Sequence, residues 1–274
     1  MKKGRKIGFV GAGNMGEALI SGLIKAKFVS PEQMLVFDSD GERLYFIQKK
    51  YGIKKATDNK QIASQCHPIL LCVKPQSMKE VIEEMAESLD ASKLLISIAA
   101  GVPLYVIEAY ARKQLRLVRV MPNIAVLVQE GASAIAPGNL SSEEDIQLAQ
   151  SIFNCVGKSI LIQESLMDAV TGLSGSGPAY VFLMIEALTD AGVHLGMTRV
   201  QAFTLASQTV KGAVKLLLET GQHPALLREK VTSPGGTTAV GLYKLEEGGL
   251  RKILIEAVIA AAQRSKELGE KIKQ

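Results

Sequence analysis

The chain of 274 residues is long enough for one large domain or two ordinary ones. Apolar residues make up 47% and charged residues 22%, which indicates a globular protein, and the net charge of +5 comes without a run of Lys or Arg. This modest positive balance favours an anionic small molecule over nucleic acid as a partner. No apolar stretch reaches the roughly 20 residues of a membrane-spanning helix, and no signal-peptide pattern opens the sequence. We therefore expect a cytoplasmic protein with no membrane partner.

The three cysteines predict neither a disulfide framework nor a metal site. Their number is odd, and no pair has the C-x-x-C spacing of a zinc or redox site. We expect Cys66, Cys72 and Cys155 to be reduced thiols in or near the core, as is usual in the cytosol.

Residues 1–163 alternate short apolar runs with stretches of helical spacing. Runs that are apolar throughout indicate strands buried on both faces, as in a parallel sheet covered by helices. Segments 40–51 and 77–89 are long enough for crossover helices. The pattern predicts a doubly wound α/β domain, in which ligands bind outside the carboxyl ends of the strands. The predicted strands are 7–10, 34–37, 69–73, 94–98, 117–120, 132–136 and 159–162.

The stretch 6–16, KIGFVGAGNMG, places G-x-G-x-x-G between the first predicted strand and a segment of helical spacing, 17–25. In this motif the first glycine permits a tight turn, the second lets the backbone approach a pyrophosphate, and the third lets the helix pack on the strand. The N-terminus of the following helix offers N–H groups and a positive dipole end to the phosphates. The motif alone also fits a glycine-rich turn, but its position predicts a dinucleotide site. The three glycines are Gly11, Gly13 and Gly16.

An acidic residue, Asp38, ends the second predicted strand 22 residues after Gly16. A carboxylate at this point hydrogen-bonds the adenine-ribose hydroxyls of NAD(H) and repels the 2′-phosphate of NADP(H). Arg43 is close enough in sequence to complicate this prediction. For Asp40, a ribose contact and a helix N-cap are both open.

Polar and small residues follow the other predicted strands. Thr57, Asp58 and Asn59 precede a short helix, as caps or as contacts to the adenosine end. Pro75 ends the third strand, because proline cannot continue the ladder, so the exposed turn of Val73 and Lys74 is expected to face the nicotinamide half. Lys74 is either a solvated charge or a neighbour of the phosphates or the nicotinamide ribose.

Two further strands also end in residues that could contact a ligand at the carboxyl edge of the sheet. The small residues 99–101 leave room for a flat ligand. Asn123 either orients a carboxamide or substrate, or caps a turn.

From residue 164 onward the strand pattern stops and helical spacing takes over. The last helix has an apolar face, yet Ile255 and Ile259 fall off it. A helix that is apolar on more than one side needs cover on more than one side, and about 110 residues of helices give a thin core. We therefore expect an obligate homo-oligomer with this half as the interface. The predicted helices are 166–173, 178–195, 199–220, 224–230, 237–246 and 249–272.

Two stretches are unlike ordinary helix-bundle sequence: TGLSGSGPAY at 171–180 and TSPGGTT at 232–238. In the second, two glycines lie among four hydroxyl residues at a helix start, a combination that favours binding of an anion. A well-capped loop between two helices is the alternative.

Taken together, the motifs GFVGAGNMG, VKPQ, AAGV, MPN, TGLSGSGPAY and TSPGGTT resemble those of the Δ1-pyrroline-5-carboxylate reductase family. The resemblance covers the whole chain in order, and its last two motifs are the specific ones. It implies hydride transfer from NADPH or NADH, or both, to the C=N bond of pyrroline-5-carboxylate, giving L-proline, the last step of proline synthesis. It also implies a Rossmann-type domain, 1–163, and an all-α dimerisation and substrate domain, 164–274. Dimers of this family often assemble further into rings.

The resemblance assigns the substrate residues to the second half. The Ser233 hydroxyl and the backbone N–H groups of Gly236, Thr237 and Thr238 would hold the substrate carboxylate. The Thr238 hydroxyl would reach the ring nitrogen. Ser233 and Thr238 are thus the predicted catalytic residues. Glu229 stands where the family often has Asp. The predicted substrate-binding residues are Glu164, Glu229, Gly236, Thr237 and Thr238.

The resemblance also assigns the cofactor residues, mostly in the first half. Asn59 matches a position near the adenine ribose. Many members have Ser or Thr near position 38, consistent with a 2′-phosphate, so Asp38 leads us to expect that NADH is used at least as well as NADPH. The predicted cofactor-binding residues are Val10, Gly11, Ala12, Gly13, Asn14, Met15, Gly16, Asp38, Asn59, Val73, Lys74, Pro75 and Ala100.

Two other classes of protein share part of this pattern. A β-hydroxyacid dehydrogenase or another imine reductase usually places Lys or Asp as the acid on the helix that opens the second domain, where this chain has Ser174, Ser176 and Tyr180. A dinucleotide sensor without catalysis would keep the fingerprint but has no need of TSPGGTT. The three histidines match no catalytic motif, and we expect them to be structural or exposed.

Overall fold

The computed structural model describes residues 6–272, and the chain divides into two compact units. The first runs to Ser176 and takes in the chain again from Ile259; the second is Gly177–Val258. The predicted domain boundary between residues 163 and 164 stays a prediction, and the predicted outer ends at residues 1 and 274 lie outside the described residues.

The first unit is built on one eight-stranded sheet. Its strand order, β3-β2-β1-β4-β5-β6-β7-β8, has at one end the order of a dinucleotide-binding Rossmann sheet. All neighbouring strands are parallel except β6 and β7. The predicted doubly wound α/β class is confirmed. The strands are β1 Lys6–Val10, β2 Met34–Phe37, β3 Lys54–Lys55, β4 Cys66–Leu71, β5 Leu94–Ser97, β6 Arg116–Met121, β7 Gly131–Pro137 and β8 Gly157–Leu161.

Helices cover both faces of this sheet and bury its central strands from two sides, whereas the outer strands β3 and β8 are largely exposed. Adjacent residues of β4 show this, because Leu70 belongs to one apolar core and Leu71 to the other, and both are fully buried. Fully apolar strands are therefore explained by two-sided burial. The helices are α1 Asn14–Lys25, α2 Gly41–Tyr51, α3 Asn59–Gln65, α4 Met78–Met85, α5 Leu104–Ala111, α6 Glu143–Asn154 and α7 Met167–Val170.

Some predicted bounds are wrong. The strand predicted at 69–73 ends at Leu71, because the chain turns toward Pro75. The helix predicted at 77–89 is only α4 and a 3-10 turn, Ala86–Ser88. The helix predicted at 166–173 is a 3-10 turn, then α7, then a π-helical segment, Thr171–Gly175. There the Thr171 hydroxyl donates to the Met167 carbonyl, four residues earlier, which competes with regular helix bonding.

The second unit is helical. Its helices are α8 Gly177–His194, α9 Arg199–Thr220, α10 Pro224–Lys230, α11 Thr237–Glu247 and the first part of α12, Leu250–Ile272. Few of its side chains are buried within the single chain; those that are include Thr189, Ala202 and Ala206. In contrast, Phe182, Phe203 and other large apolar side chains are more than half exposed. From Ile259 onward, α12 belongs to the first unit.

Across the part of the chain that the structure describes, none of the helices combines the length and the apolar character needed to cross a membrane.

Candidate functional site

The loop between β1 and α1 requires two of its three fingerprint glycines for packing. Gly11 has φ +95°, and a Cβ there would lie 2.8 Å from the Cys72 carbonyl oxygen. A Cβ on Gly16 would lie 2.5 Å from the Gly11 carbonyl oxygen. At Gly13, however, no described atom beyond its chain neighbours lies within 4 Å of a Cβ position. The loop is thus closed on its inner side and open beside Gly13, where the motif predicts a pyrophosphate.

The N-terminus of α1 fits an anion as well. Gly13 is the N-cap, and since it has no side chain it cannot satisfy the first-turn N–H groups. These N–H groups, on Asn14, Met15 and Gly16, remain for a ligand at the positive end of the helix dipole. Val10 and Ala12, which flank Gly11, are buried. The residues present therefore fit a dinucleotide pyrophosphate.

The Asp38 carboxylate links this loop to the end of β2. It accepts hydrogen bonds from the Ala12 N–H (2.6 Å) and the Asp40 N–H (2.9 Å). Asp40 in turn caps α2, accepting from the Glu42 and Arg43 N–H groups at 3.0 Å. The structure therefore shows Asp40 as a helix N-cap, while Asp38 holds the fingerprint loop against β2.

Arg43 is committed to the same loop. Its Nε donates to the Ala12 carbonyl (2.6 Å), and its guanidinium forms a salt bridge with Glu17 of α1. Glu17 also accepts from Lys50 and Tyr51, each at 2.8 Å. Burial acts to raise the pKa of Glu17, but the bonds from Lys50, Tyr51 and Arg43 outweigh it and lower the pKa to about 2. The charge of Arg43 is thus balanced by an ionised carboxylate.

Asn59, the predicted adenosine neighbour, is only 5% exposed at the start of α3. Its backbone N–H and its Nδ2 donate to the two carboxylate oxygens of Glu84, at 3.1 and 2.6 Å. Glu84 therefore fixes the amide orientation, and the Asn59 Oδ1 is buried without a partner among the described residues. The sequence did not point to Glu84, because it lies 25 residues after Asn59 and the two residues share no motif. Asp58 is the N-cap of α3, accepting from the Gln61 N–H.

The turns that follow β4 and β5 border a cavity of about 470 Å³. Two of the predicted cofactor-binding residues, Pro75 and Ala100, lie on it. Val73 is half-buried and Lys74 is exposed in the turn before Pro75. Asn123 is a turn cap, because its Oδ1 accepts from the Ala125 and Ala132 N–H groups, both at 3.2 Å.

Glu164, a predicted substrate residue, has partners within the first unit. Its Oε1 accepts from the Leu104 N–H (2.7 Å) at the start of α5 and from Arg119 (3.4 Å), which is 6% exposed. Glu164 therefore supports α5 and balances a buried cation. It also borders a second cavity, of about 620 Å³. Its contact with substrate stays a prediction.

The TSPGGTT loop, in the second unit, leads into α11. Gly235 has φ +66°, and Gly236 is the N-cap of α11, again without a side chain. The Gly236 N–H donates to the Ser233 carbonyl (3.0 Å), so this predicted anion donor is taken up by the turn. The Thr237 and Thr238 N–H groups lie in the first turn, where helix N–H groups lack intrahelical partners.

The side chains around this loop are accessible. Ser233 is exposed and Thr238 is half-buried. Glu229, near the end of α10, is exposed. The loop thus has the features of an anion site predicted from the sequence, with one N–H fewer.

The three histidines take structural or exposed positions, and the three cysteines lie in or near the core. His67 accepts from the Leu94 N–H and His223 caps α10, while His194 is exposed. All three cysteines are free thiols. Burial raises the pKa of the Cys66 thiol to about 11 and that of the Cys72 thiol to about 12.

Comparison with known proteins covers nearly the whole chain. The family model described as pyrroline-5-carboxylate reductase dimerisation matches residues 164–268, and one described as coenzyme F420-dependent NADP oxidoreductase matches residues 6–101. The chain is 51% identical to a pyrroline-5-carboxylate reductase of Methanosarcina acetivorans, over 97% of this chain and 99% of that protein.

Two solved structures agree with this. The pyrroline-5-carboxylate reductase of Coxiella burnetii has a TM-score of 0.92 at 39% identity, covering 97% of this chain and 99% of that one. The pyrroline carboxylate reductase of Plasmodium falciparum, solved with NADP bound, has a TM-score of 0.87 at 35% identity, covering 97% and 98%. Because both the identity and the coverage are high, the chain belongs to the pyrroline-5-carboxylate reductase family.

Proposed function

We propose that this protein reduces L-1-pyrroline-5-carboxylate to L-proline with NAD(P)H. The observation that carries the proposal is the TSPGGTT loop, which opens α11 with a glycine N-cap and two threonines in the first turn. Many enzymes share a dinucleotide fingerprint, but a second such helix start fits a small anionic substrate. The names of the relatives at high identity and coverage support the same reaction.

The first unit holds the cofactor in this proposal. The α1 N-terminus and the open space beside Gly13 accept the pyrophosphate. Asp38 and Asn59 stand toward the adenosine end, and Val73, Lys74, Pro75 and Ala100 toward the nicotinamide end. When bound, NAD(P)H supplies the hydride, which is the demanding part of the chemistry. The family descriptions and the NADP-bound relative support NAD(P)H use.

The second unit holds the substrate. The Ser233 hydroxyl and the Thr237 and Thr238 N–H groups would bind the substrate carboxylate, and Glu229 and Glu164 would border the ring. Reduction adds a hydride to carbon and one proton to nitrogen. The Thr238 hydroxyl is a weak acid, so its proposed part is to hold the ring nitrogen or to relay a proton from water.

The working protein in this proposal is a homodimer formed through the helical unit. Support comes from the dimerisation description of residues 164–268 and from the exposed apolar side chains of α8 and α9. In an interleaved dimer the TSPGGTT loop serves the cofactor site of the other subunit. A ring of dimers and a cytoplasmic location are further parts of the same proposal.

The test is an NAD(P)H oxidation assay with L-1-pyrroline-5-carboxylate, with the product identified as L-proline. Unsubstituted 1-pyrroline is the matched control, since it has the C=N bond but lacks the carboxylate. We expect turnover of the first and a much lower kcat/KM for the second. Binding of NAD(P)H without turnover of any imine would instead indicate a dinucleotide sensor, and turnover of β-hydroxyacids a related dehydrogenase.

A further inference from the structure

The cavity beside the turns that follow β4 and β5 has a side that the sequence did not predict. Besides Pro75 and Ala100, it is bordered by five side chains from the last part of α12. These residues belong to the same compact unit as the sheet, although they lie more than 150 positions later in the sequence. The residues of α12 on the cavity are Ala261, Arg264, Ser265, Leu268 and Lys271.

A backbone approach fixes this part of α12 beside the turn after β5. Gly101, in that turn, has φ +73°, and a Cβ on Gly269 would lie 2.9 Å from the Gly101 carbonyl oxygen. Gly269 is buried inside a helix, where glycine is less favourable than alanine by about 1 kcal/mol. The close approach gives a physical reason for glycine at this position.

One turn earlier, a buried hydrogen bond anchors the helix a second time. The Ser265 hydroxyl donates to Asp168 Oδ1 at 2.7 Å, and Ser265 is 5% exposed. Asp168 lies in α7, directly before the π-helical segment whose Thr171 also borders the cavity. The helix is thus held to two separate sides of the same cavity.

We propose that residues 261–271 of α12 form one side of the nicotinamide end of the cofactor site, with Gly269 and Ser265 as positioning residues. The inference rests on the proposed function, since the cavity is assigned through Pro75 and Ala100. Gly269 sets the position of the Ala100–Gly101 turn, because any side chain there pushes against the Gly101 peptide. Ser265 fixes the position of α12 along its axis at which this contact forms.

The test is the affinity of Gly269→Ala for cofactor and for a cofactor fragment, measured by calorimetric titration. ADP-ribose, or its 2′-phosphate form if NADPH binds more tightly, shares the adenosine and pyrophosphate but lacks the nicotinamide. We expect the Kd for NAD(P)H to rise at least fivefold while the Kd of the fragment stays within twofold of the unchanged protein. Glu270→Ala, at the exposed neighbouring position, is the matched control and should change neither Kd.

A second variant covers the case in which Gly269→Ala does not fold. Ser265→Ala removes the bond to Asp168 without adding atoms, and we expect a two- to fivefold rise in the Kd for NAD(P)H with the same fragment unaffected. Equal weakening of cofactor and fragment, or an unchanged cofactor Kd in both variants, would overturn the inference. Failure of the unchanged protein to bind NAD(P)H would instead contradict the proposed function itself.

Discussion

The carboxylate of Asp38 accepts two backbone hydrogen bonds within the chain itself, from the Ala12 and Asp40 N–H groups. An ionised carboxylate has about four acceptor positions, so two remain for ribose hydroxyls. A 2′-phosphate at the same place would meet the negative charges of Asp38 and Asp40. The nearby cation, Arg43, is already balanced by Glu17. The end of β2 is therefore better suited to a ribose than to a phosphate.

We predict that the unchanged protein uses NADH at least as efficiently as NADPH, and that Asp38→Ser shifts the ratio of the two kcat/KM values toward NADPH by at least tenfold. A tenfold shift corresponds to about 1.4 kcal/mol, which we assign to relief of the repulsion between the Asp38 carboxylate and the 2′-phosphate. The ratio is the measurement, because loss of the Ala12 bond would weaken both cofactors together. A strong NADPH preference in the unchanged protein would contradict the prediction.

Thr238→Val should lower kcat/KM for pyrroline-5-carboxylate by about tenfold to a thousandfold. Valine keeps the shape but loses the hydroxyl, and the loss corresponds to one transition-state hydrogen bond to a charged group. Steady-state kinetics at saturating NAD(P)H measures it. Thr220→Val, which removes an exposed hydroxyl at the end of α9, serves as control. Wild-type kinetics in Thr238→Val would exclude the role.

At this scale the sequence predicts residue types better than partners. The cap at Asp40 was one of two open interpretations, and the hydrogen bonds decide it. Asn123 was equally open, and its bonds to two backbone N–H groups make it a cap. Glu84 could not be predicted, because its contact with Asn59 depends on how α3 and α4 pack.

Among the elements, α1 is fastened to α2 through Glu17. Its carboxylate accepts hydrogen bonds from Arg43, Lys50 and Tyr51, which all belong to α2. The side chain of Glu17 is 17% exposed. The same helix carries the proposed pyrophosphate site at its N-terminus. These side-chain contacts therefore fix α1 against α2 without using the N–H groups of the first turn of α1.

Glu17→Gln should lower Tm by about 2–8 °C at pH 7, corresponding to about 1–2 kcal/mol once solvent screening is allowed for. The folded pKa of Glu17, about 2, lies below the reference value of 4.5, so the ionised form stabilises the fold above pH 4.5. That stabilisation is lost as the pH falls toward 2. The Tm difference between the two proteins should therefore shrink over this range in differential scanning calorimetry.

Glu83→Gln is the matched control for that experiment. Glu83 is an exposed carboxylate on α4, so its variant removes the same charge without removing the network. A Tm difference that stays constant from pH 7 to pH 3 would show that the bonds to Glu17 do not depend on its charge.

The elements that the sequence predicts well are those with a strong period. Clear apolar patterns mark the sequence runs that form β1, β2 and β5, and also the long helices α8 and α9. β3 was not predicted, because it is a two-residue charged edge strand, and the antiparallel direction of β7 leaves no mark in its apolar run. The placement of the end of α12 depends on Gly269 and Gly101, which apolar periodicity cannot reveal.

For the whole molecule, the two units differ in how well they bury apolar surface. The sheet unit has continuous cores on both faces, whereas the helical unit leaves large side chains exposed along α8 and α9. Patches of this kind mark interaction surfaces. The sequence predicted an oligomer interface in this half from the last helix, which is apolar on more than one side, but it did not predict the exposed side chains of α8 and α9.

We predict that the protein is a dimer or a larger assembly at micromolar concentration, and that Phe203→Glu dissociates it. Phe203 is 56% exposed in the single chain, and a buried unpaired carboxylate would strongly oppose association. Light scattering after size-exclusion chromatography should give a multiple of 29.4 kDa for the unchanged protein and a single chain for the variant. Because the proposed substrate loop serves the other subunit, activity should fall at least tenfold. Leu140→Glu, at a 46% exposed position of the sheet unit, should keep both mass and activity, and a monomeric unchanged protein would contradict the prediction.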